Sequence, residues 1–115
     1  MGMLPIAAAV VLGSVDVSAQ LVLNLDANFE RNRVEYHCEG MEPFAVDFIN
    51  AAPNFLAIVP IEGQSLVFVN VLSGSGARYA SGRYEFWTKG GEATLTDLMA
   101  DPPTPVSCSE ANETP

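Results

Sequence analysis

Ser75 and Lys89 stand fourteen positions apart with a Ser81-Gly82 turn between them, so antiparallel pairing folds one back toward the other. A serine beside a lysine can act as nucleophile and base, but only where the lysine gives up its proton. A lysine on a protruding turn keeps its charge, because nothing strips its hydration. Lys89 therefore reads either as a protonated donor for carboxylates on another molecule, or as a solvated turn residue with Ser75 a turn former. Both readings stay open on these residues alone.

The other chemistry-bearing residues offer little to an enzyme. One histidine, His37, cannot build a multi-histidine metal site, and two cysteines cannot make a Cys₄ zinc site. His37 reads as an exposed strand residue. The 14 Asp and Glu side chains are scattered over strand and turn positions, with no pair that stands out as a glycosidase couple. The turn around Gly74 and Gly76 precedes no helix, so a phosphate cradle is unsupported. No catalytic residue, metal or cofactor is expected. Asn112-Glu113-Thr114 matches a glycosylation sequon, a pattern short enough to arise by chance.

The elements that would position Ser75 and Lys89 are strands. Val34, Tyr36 and Cys38 alternate with Glu35, His37 and Glu39, as in a half-buried strand. Phe44, Val46 and Phe48 alternate with Ala45 and Asp47. Runs 55–61 and 66–72 are apolar on both faces, which predicts strands near the centre of a sheet. Tyr84 and Phe86 share one face, and Glu85, Trp87 and Lys89 the other. Residues 93–97 read as one more strand. Turn residues separate these runs at Gly40 to Pro43, Ala51 to Asn54, Glu62-Gly63-Gln64, Ser81-Gly82 and Lys89-Gly90-Gly91. The pattern predicts an all-β fold: a small antiparallel β-barrel or sandwich of seven or eight strands. Residues 101–115, with four of the eight prolines, read as an extended tail pinned to the barrel by Cys108.

The first nineteen residues read differently. An apolar run from Leu4 to Leu12 is too short to span a bilayer, and Val17-Ser18-Ala19 suits signal peptidase. The start carries no Lys or Arg. Residues 1–19 are taken as an export signal, with one domain over 20–115. Export makes Cys38–Cys108 a disulfide in an oxidising compartment. Closing a loop of about 70 residues is worth roughly 4 kcal/mol in the chain-entropy model. The net charge of −9 argues against nucleic acid as a partner and disfavours docking on anionic lipid. It suits solubility, or a cationic partner. No stable membrane insertion is expected, and the oligomeric state is left open.

The stretch 75–95, SGARYASGRYEFWTKGGEATL, resembles the signature of the MliC/PliC family, the inhibitors of c-type (chicken-type) lysozyme from Gram-negative bacteria. The residues that carry the resemblance are Ser75, Gly76, Tyr79, Trp87, Thr88, Lys89, Gly90, Glu92, Ala93 and Thr94. Tyr36-x-Cys38 upstream and Cys108 downstream extend it. The resemblance implies an eight-stranded barrel with one disulfide and no enzymatic activity. It implies that Ser75 and Lys89 enter the lysozyme cleft and meet its two catalytic carboxylates, with Gly76, Tyr79, Thr88 and Gly90 in the same lysozyme-binding motifs. Tyr79 and Trp87 are expected to support the loops more than to touch the target. A cysteine at the cleavage position marks the lipoprotein branch, and Ala19-Gln20 here points to the soluble periplasmic branch. The rival readings are a non-inhibitory barrel for a small apolar ligand and a structural envelope domain.

Overall fold

The computed structural model describes residues 28–111, together with Gln20 and residues 22–25. Eight strands follow one another: β1 (Glu30–Cys38), β2 (Phe44–Ala51), β3 (Asn54–Ile61), β4 (Gln64–Val71), β5 (Ala77–Ser81), β6 (Tyr84–Lys89), β7 (Glu92–Asp97) and β8 (Val106–Glu110). Each pairs antiparallel with the next, and β8 pairs back with β1 to close a barrel. Short turns enforce this up-and-down order. At the β3–β4 turn Glu62 and Gly63 both take positive φ, 50° and 80°, the backbone that a two-residue hairpin requires. Closure pairs every strand on both sides, so no row of backbone donors is left open at an edge.

Alternation sends one face of each strand inward. Tyr36, Val46, Val59, Phe68 and Phe86 are fully enclosed, and Ala57 and Ala93 fit between them. The Tyr36 and Phe86 rings meet edge to face at 5.4 Å, and Phe48 packs on Tyr79 at 5.7 Å. Such pairs add about 0.5–1.5 kcal/mol beyond the area they bury. The interior is therefore packed with side chains, as expected for a barrel of this strand number. Cys38 and Cys108 are register partners at the β1–β8 seam and are joined by a disulfide.

Two sequence expectations need correction. Residues 106–110 are not part of an extended tail; they form β8, the strand that closes the barrel. Of the three inward positions in these five residues only Val106 and Cys108 are apolar, and Glu110 is a carboxylate, so no apolar alternation stands out after a proline-rich approach. Strands β3 and β4 are not central, because a closed barrel has no centre strand. Their second apolar face is the outer wall, where Ile58 pairs with Val67 and Leu56 with Val69, and Val67 and Val69 remain 39% and 48% exposed. His37 is exposed on β1, as expected. Residues 1–19 and the sequon asparagine, Asn112, lie outside the described residues. Among the described residues, no helix is long and apolar enough to cross a membrane.

Candidate functional site

The site forms where the 72–76 loop between β4 and β5 meets the β6–β7 turn at Gly90-Gly91. Strand β6 lies antiparallel to β5, with Ala77 opposite Thr88 and Arg78 opposite Trp87, so the end of the loop arrives beside Lys89. Gly76 makes the approach possible. It takes φ +66°, and a Cβ there would drive into the Thr88 carbonyl and press on Trp87 Nε1 and the Lys89 Cβ. Any side chain at this position would force the loop off the strand.

Three side-chain bonds then shape the loop. Trp87 Nε1–H donates to the Ser75 carbonyl at 2.9 Å, and Ser73 Oγ–H donates to the Gly76 carbonyl at 3.2 Å. At the base, Thr88 Oγ1–H donates to the Ala77 carbonyl at 3.4 Å. The Arg78 guanidinium lies over the Trp87 ring, 5.7 Å from its centroid, and is tied to the Glu85 carboxylate at 2.8 Å. The loop that carries Ser75 is thus fastened to the strand that carries Lys89.

Charge sets Lys89 apart. Arg31 and Arg33 face Asp47, Arg78 pairs with Glu85, and Arg83 pairs with Asp97. Lys89 is exposed and is the one cation with no carboxylate partner among the described residues, although Glu92 is its register neighbour across the turn. Ser75 and Lys89 line one depression of about 310 Å³ on the outer wall, together with Trp87, Glu92, Thr94 and Ser107. Its chemistry is an ammonium and three hydroxyls beside an aromatic floor, with one carboxylate at the lip. That set suits donation to an acidic group of another molecule.

The six residues expected at the site do not share one surface. Ser75 and Lys89 line the outer depression, and Gly76 lies next to them against the Thr88 carbonyl and Trp87 Nε1. Thr88, Gly90 and Tyr79 instead line the mouth of the barrel, a hollow of about 370 Å³ shared with Tyr36, Asn32, Asn50 and Glu110. Alternation explains the split: Thr88 points in where Lys89 points out. Tyr79 is 6% exposed, with its ring against Phe48, so it supports the end of the barrel from inside. Burial raises the Tyr79 phenol above its ordinary pKa. The Tyr36 phenol is pushed up to about 12 by burial, with Glu110 and then Tyr79 adding to the effect. Both therefore stay neutral near pH 7. Sequence reasoning missed Ser107, Asn32, Asn50 and Glu110. Alternation along β1 and β2 was the available signal for Asn32 and Asn50, whereas Glu110 and Ser107 had none, because β8 itself was not legible as a strand.

Comparison with known proteins agrees with the barrel fold. The family model described as "Membrane-bound lysozyme-inhibitor of c-type lysozyme", MliC, matches residues 36–104. The chain belongs to the MliC family. It is similar to a membrane-bound lysozyme inhibitor of C-type lysozyme from Pseudomonas aeruginosa, 47% identical over 93 residues that cover 78% of this chain and 73% of the relative. A protein of the same description from Cupriavidus necator is 48% identical over 66 residues, covering 57% of this chain and 53% of the relative. Among solved structures, P. aeruginosa MliC in complex with hen egg white lysozyme superposes with a TM-score of 0.70 at 41% identity, covering 84% of this chain and 99% of that one. The MliC barrel and its disulfide were both expected from the sequence.

Proposed function

We propose that this MliC-family protein inhibits c-type lysozyme by placing Ser75 and Lys89 in the enzyme's active-site cleft. The observation that carries the reading is the ammonium of Lys89, which has no carboxylate partner among the described residues and is exposed beside Ser75, whose loop is fastened to the barrel. The names of the relatives and the lysozyme complex of the P. aeruginosa protein support the choice of target. A retaining glycosidase works with one carboxyl protonated as acid and the other ionised. An ammonium between the two favours ionisation of both and occupies the space of the substrate. Its N⁺–H···O⁻ bonds are short and about twice as strong as neutral ones. The net charge of −9 speeds encounter with a basic enzyme.

On this reading the protein is an inhibitor and not an enzyme. Residues 1–19 direct its export to the cell envelope, where it protects peptidoglycan in the periplasm. A packed interior disfavours the rival reading of a barrel for a small apolar ligand. The test is clearance of a cell-wall suspension by a c-type lysozyme, followed by turbidity with and without the protein. Inhibition near equimolar ratio is expected, and none at large molar excess overturns the function. Ser75→Ala and Lys89→Ala should each weaken inhibition without unfolding the barrel. Full potency in both variants would overturn the site while leaving the function intact.

A further inference from the structure

We infer that Trp87 is a positioning residue for the Ser75–Lys89 pair, and that Arg78 and Glu85 brace it. The inference rests on the inhibitory reading above and names the part of the fold that holds the pair in register.

The 72–76 loop, Leu-Ser-Gly-Ser-Gly, has the composition of a flexible linker. Leu72, Gly74, Ser75 and Gly76 are all exposed, so burial of the loop's own side chains does not hold it in place. The Ser73–Gly76 bond is internal to the loop and sets its curvature, not its position. The bond from Trp87 Nε1–H to the Ser75 carbonyl does set position, because it joins the residue before Gly76 to the strand that ends in Lys89.

The indole is itself held on more than one side. Arg78 is its direct cross-strand partner and covers the ring, and Glu85 holds the guanidinium from the next outward position on β6. The Gly76 backbone closes against Nε1, where a Cβ would approach to 3.2 Å. The order of support runs from the Glu85 carboxylate to the Arg78 guanidinium, the Trp87 ring and the Ser75 carbonyl. Lys89 lies two residues beyond Trp87 on the same outward face. A fixed loop pays no ordering cost when it meets a rigid cleft, whereas a loop that samples several positions binds only from the competent fraction.

The decisive experiment is a double-mutant cycle on lysozyme inhibition with Trp87→Phe and Ser75→Ala. Phenylalanine keeps an aromatic ring under Arg78 and removes the N–H donor. Trp87→Phe should raise the inhibition constant about tenfold, the size of one lost hydrogen bond to a positioned partner. Ser75→Ala should then cost much less in the Trp87→Phe background than in the wild type. Strict additivity of the two would overturn the proposal, since a general weakening of the barrel leaves the effect of Ser75 unchanged. Thermal unfolding of Trp87→Phe checks the fold. If that variant fails to fold, Glu85→Gln takes its place in the cycle, with a smaller loss expected.

A second readout needs no lysozyme. The chain has one tryptophan, so its indole N–H gives one proton resonance. That proton should exchange with solvent at least about tenfold slower than a free indole, as expected for a hydrogen-bonded donor. Arg78→Ala should return it toward the free rate. Exchange at the free rate in the wild type overturns the brace, whatever the inhibition assay shows. A protected indole in a protein that does not inhibit overturns the inhibitory reading and leaves the positioning geometry standing.

Discussion

Strand β6 has a cation at each end, and the fold treats the two in opposite ways. Arg83 precedes the strand at the β5–β6 turn, where Asp97 grips it with two bonds of 2.7 Å each. Lys89 ends the strand at the β6–β7 turn, where Glu92 is its register neighbour yet forms no ion pair with it. Arginine's planar fork suits a carboxylate held on one neighbouring strand, whereas the lysine ammonium is a mobile point charge that can meet several acceptors. One charge is consumed within the fold, and the other is kept available. A protein with 14 acidic residues and 5 basic ones could readily pair every cation, so the one cation left without a carboxylate among the described residues is the informative one.

The largest effect should come from abolishing the difference at its free end. Lys89→Ala should weaken lysozyme inhibition by about 2–5 kcal/mol, roughly thirtyfold or more, with no change in melting temperature. Arg83→Ala should leave the inhibition constant unchanged, and equal losses from the two substitutions would dissolve the contrast.

Next is Gly76→Ala. The added Cβ meets the Thr88 carbonyl at a positive φ and should cost about 1–3 kcal/mol. Because the strain falls on the Ser75 loop, inhibition should drop with stability, whereas Gly82→Ala at the Arg83 turn, with open space around it, should cost stability alone. Calorimetry and an inhibition titration on both variants would show the difference.

Smaller effects come from protons. Tyr36 titrates near 12 in the barrel and at 10.0 when unfolded, so the native state holds its proton longer. The stability this provides is intact below pH 10 and is lost as pH rises from 10 toward 12. Tyr36→Phe should flatten that alkaline loss in a series of unfolding curves. Asp97 moves the other way, lowered first by its hydrogen bond from Arg83. Its contribution is present above the ordinary carboxylate pKa of 3.8 and fades as pH falls below it. Arg83→Ala should therefore soften acid unfolding slightly, and Lys89→Ala should not.

The hairpins were legible because each inward residue alternates with an outward one and each turn carries its glycine or proline. The nearness of Ser75 and Lys89 was legible for the same reason, since the Ser81-Gly82 turn fixes the register between them. Strand β8 was not, because Val106 and Cys108 are its only two apolar inward points and the third is the carboxylate of Glu110. The apolar outer faces of Leu56, Ile58, Val67 and Val69 were legible as hydrophobic but not as outward, because two-faced apolarity reads as burial in an open sheet. The division of the site between outer wall and barrel mouth was written in the alternation of Tyr79, Thr88 and Lys89. A shared motif drew them together where the geometry parts them. The anchoring of Ser75 by Trp87 had no linear signal, since a loop carbonyl has no side-chain type to read.

The register of Lys89 against Glu92 has a consequence for how such a chain can vary. Inserting or deleting one residue within β6 would turn Lys89 toward the barrel mouth and bring Thr88 to the outer wall. The hairpin strand is therefore a counted stretch in which length matters as much as identity. Between Val71 and Ser75 no strand pairing imposes such a count, so a residue gained or lost there need only let the Ser75 carbonyl reach the indole. Among related chains, changes of length should gather in that approach and avoid the few residues that lead to the lysine.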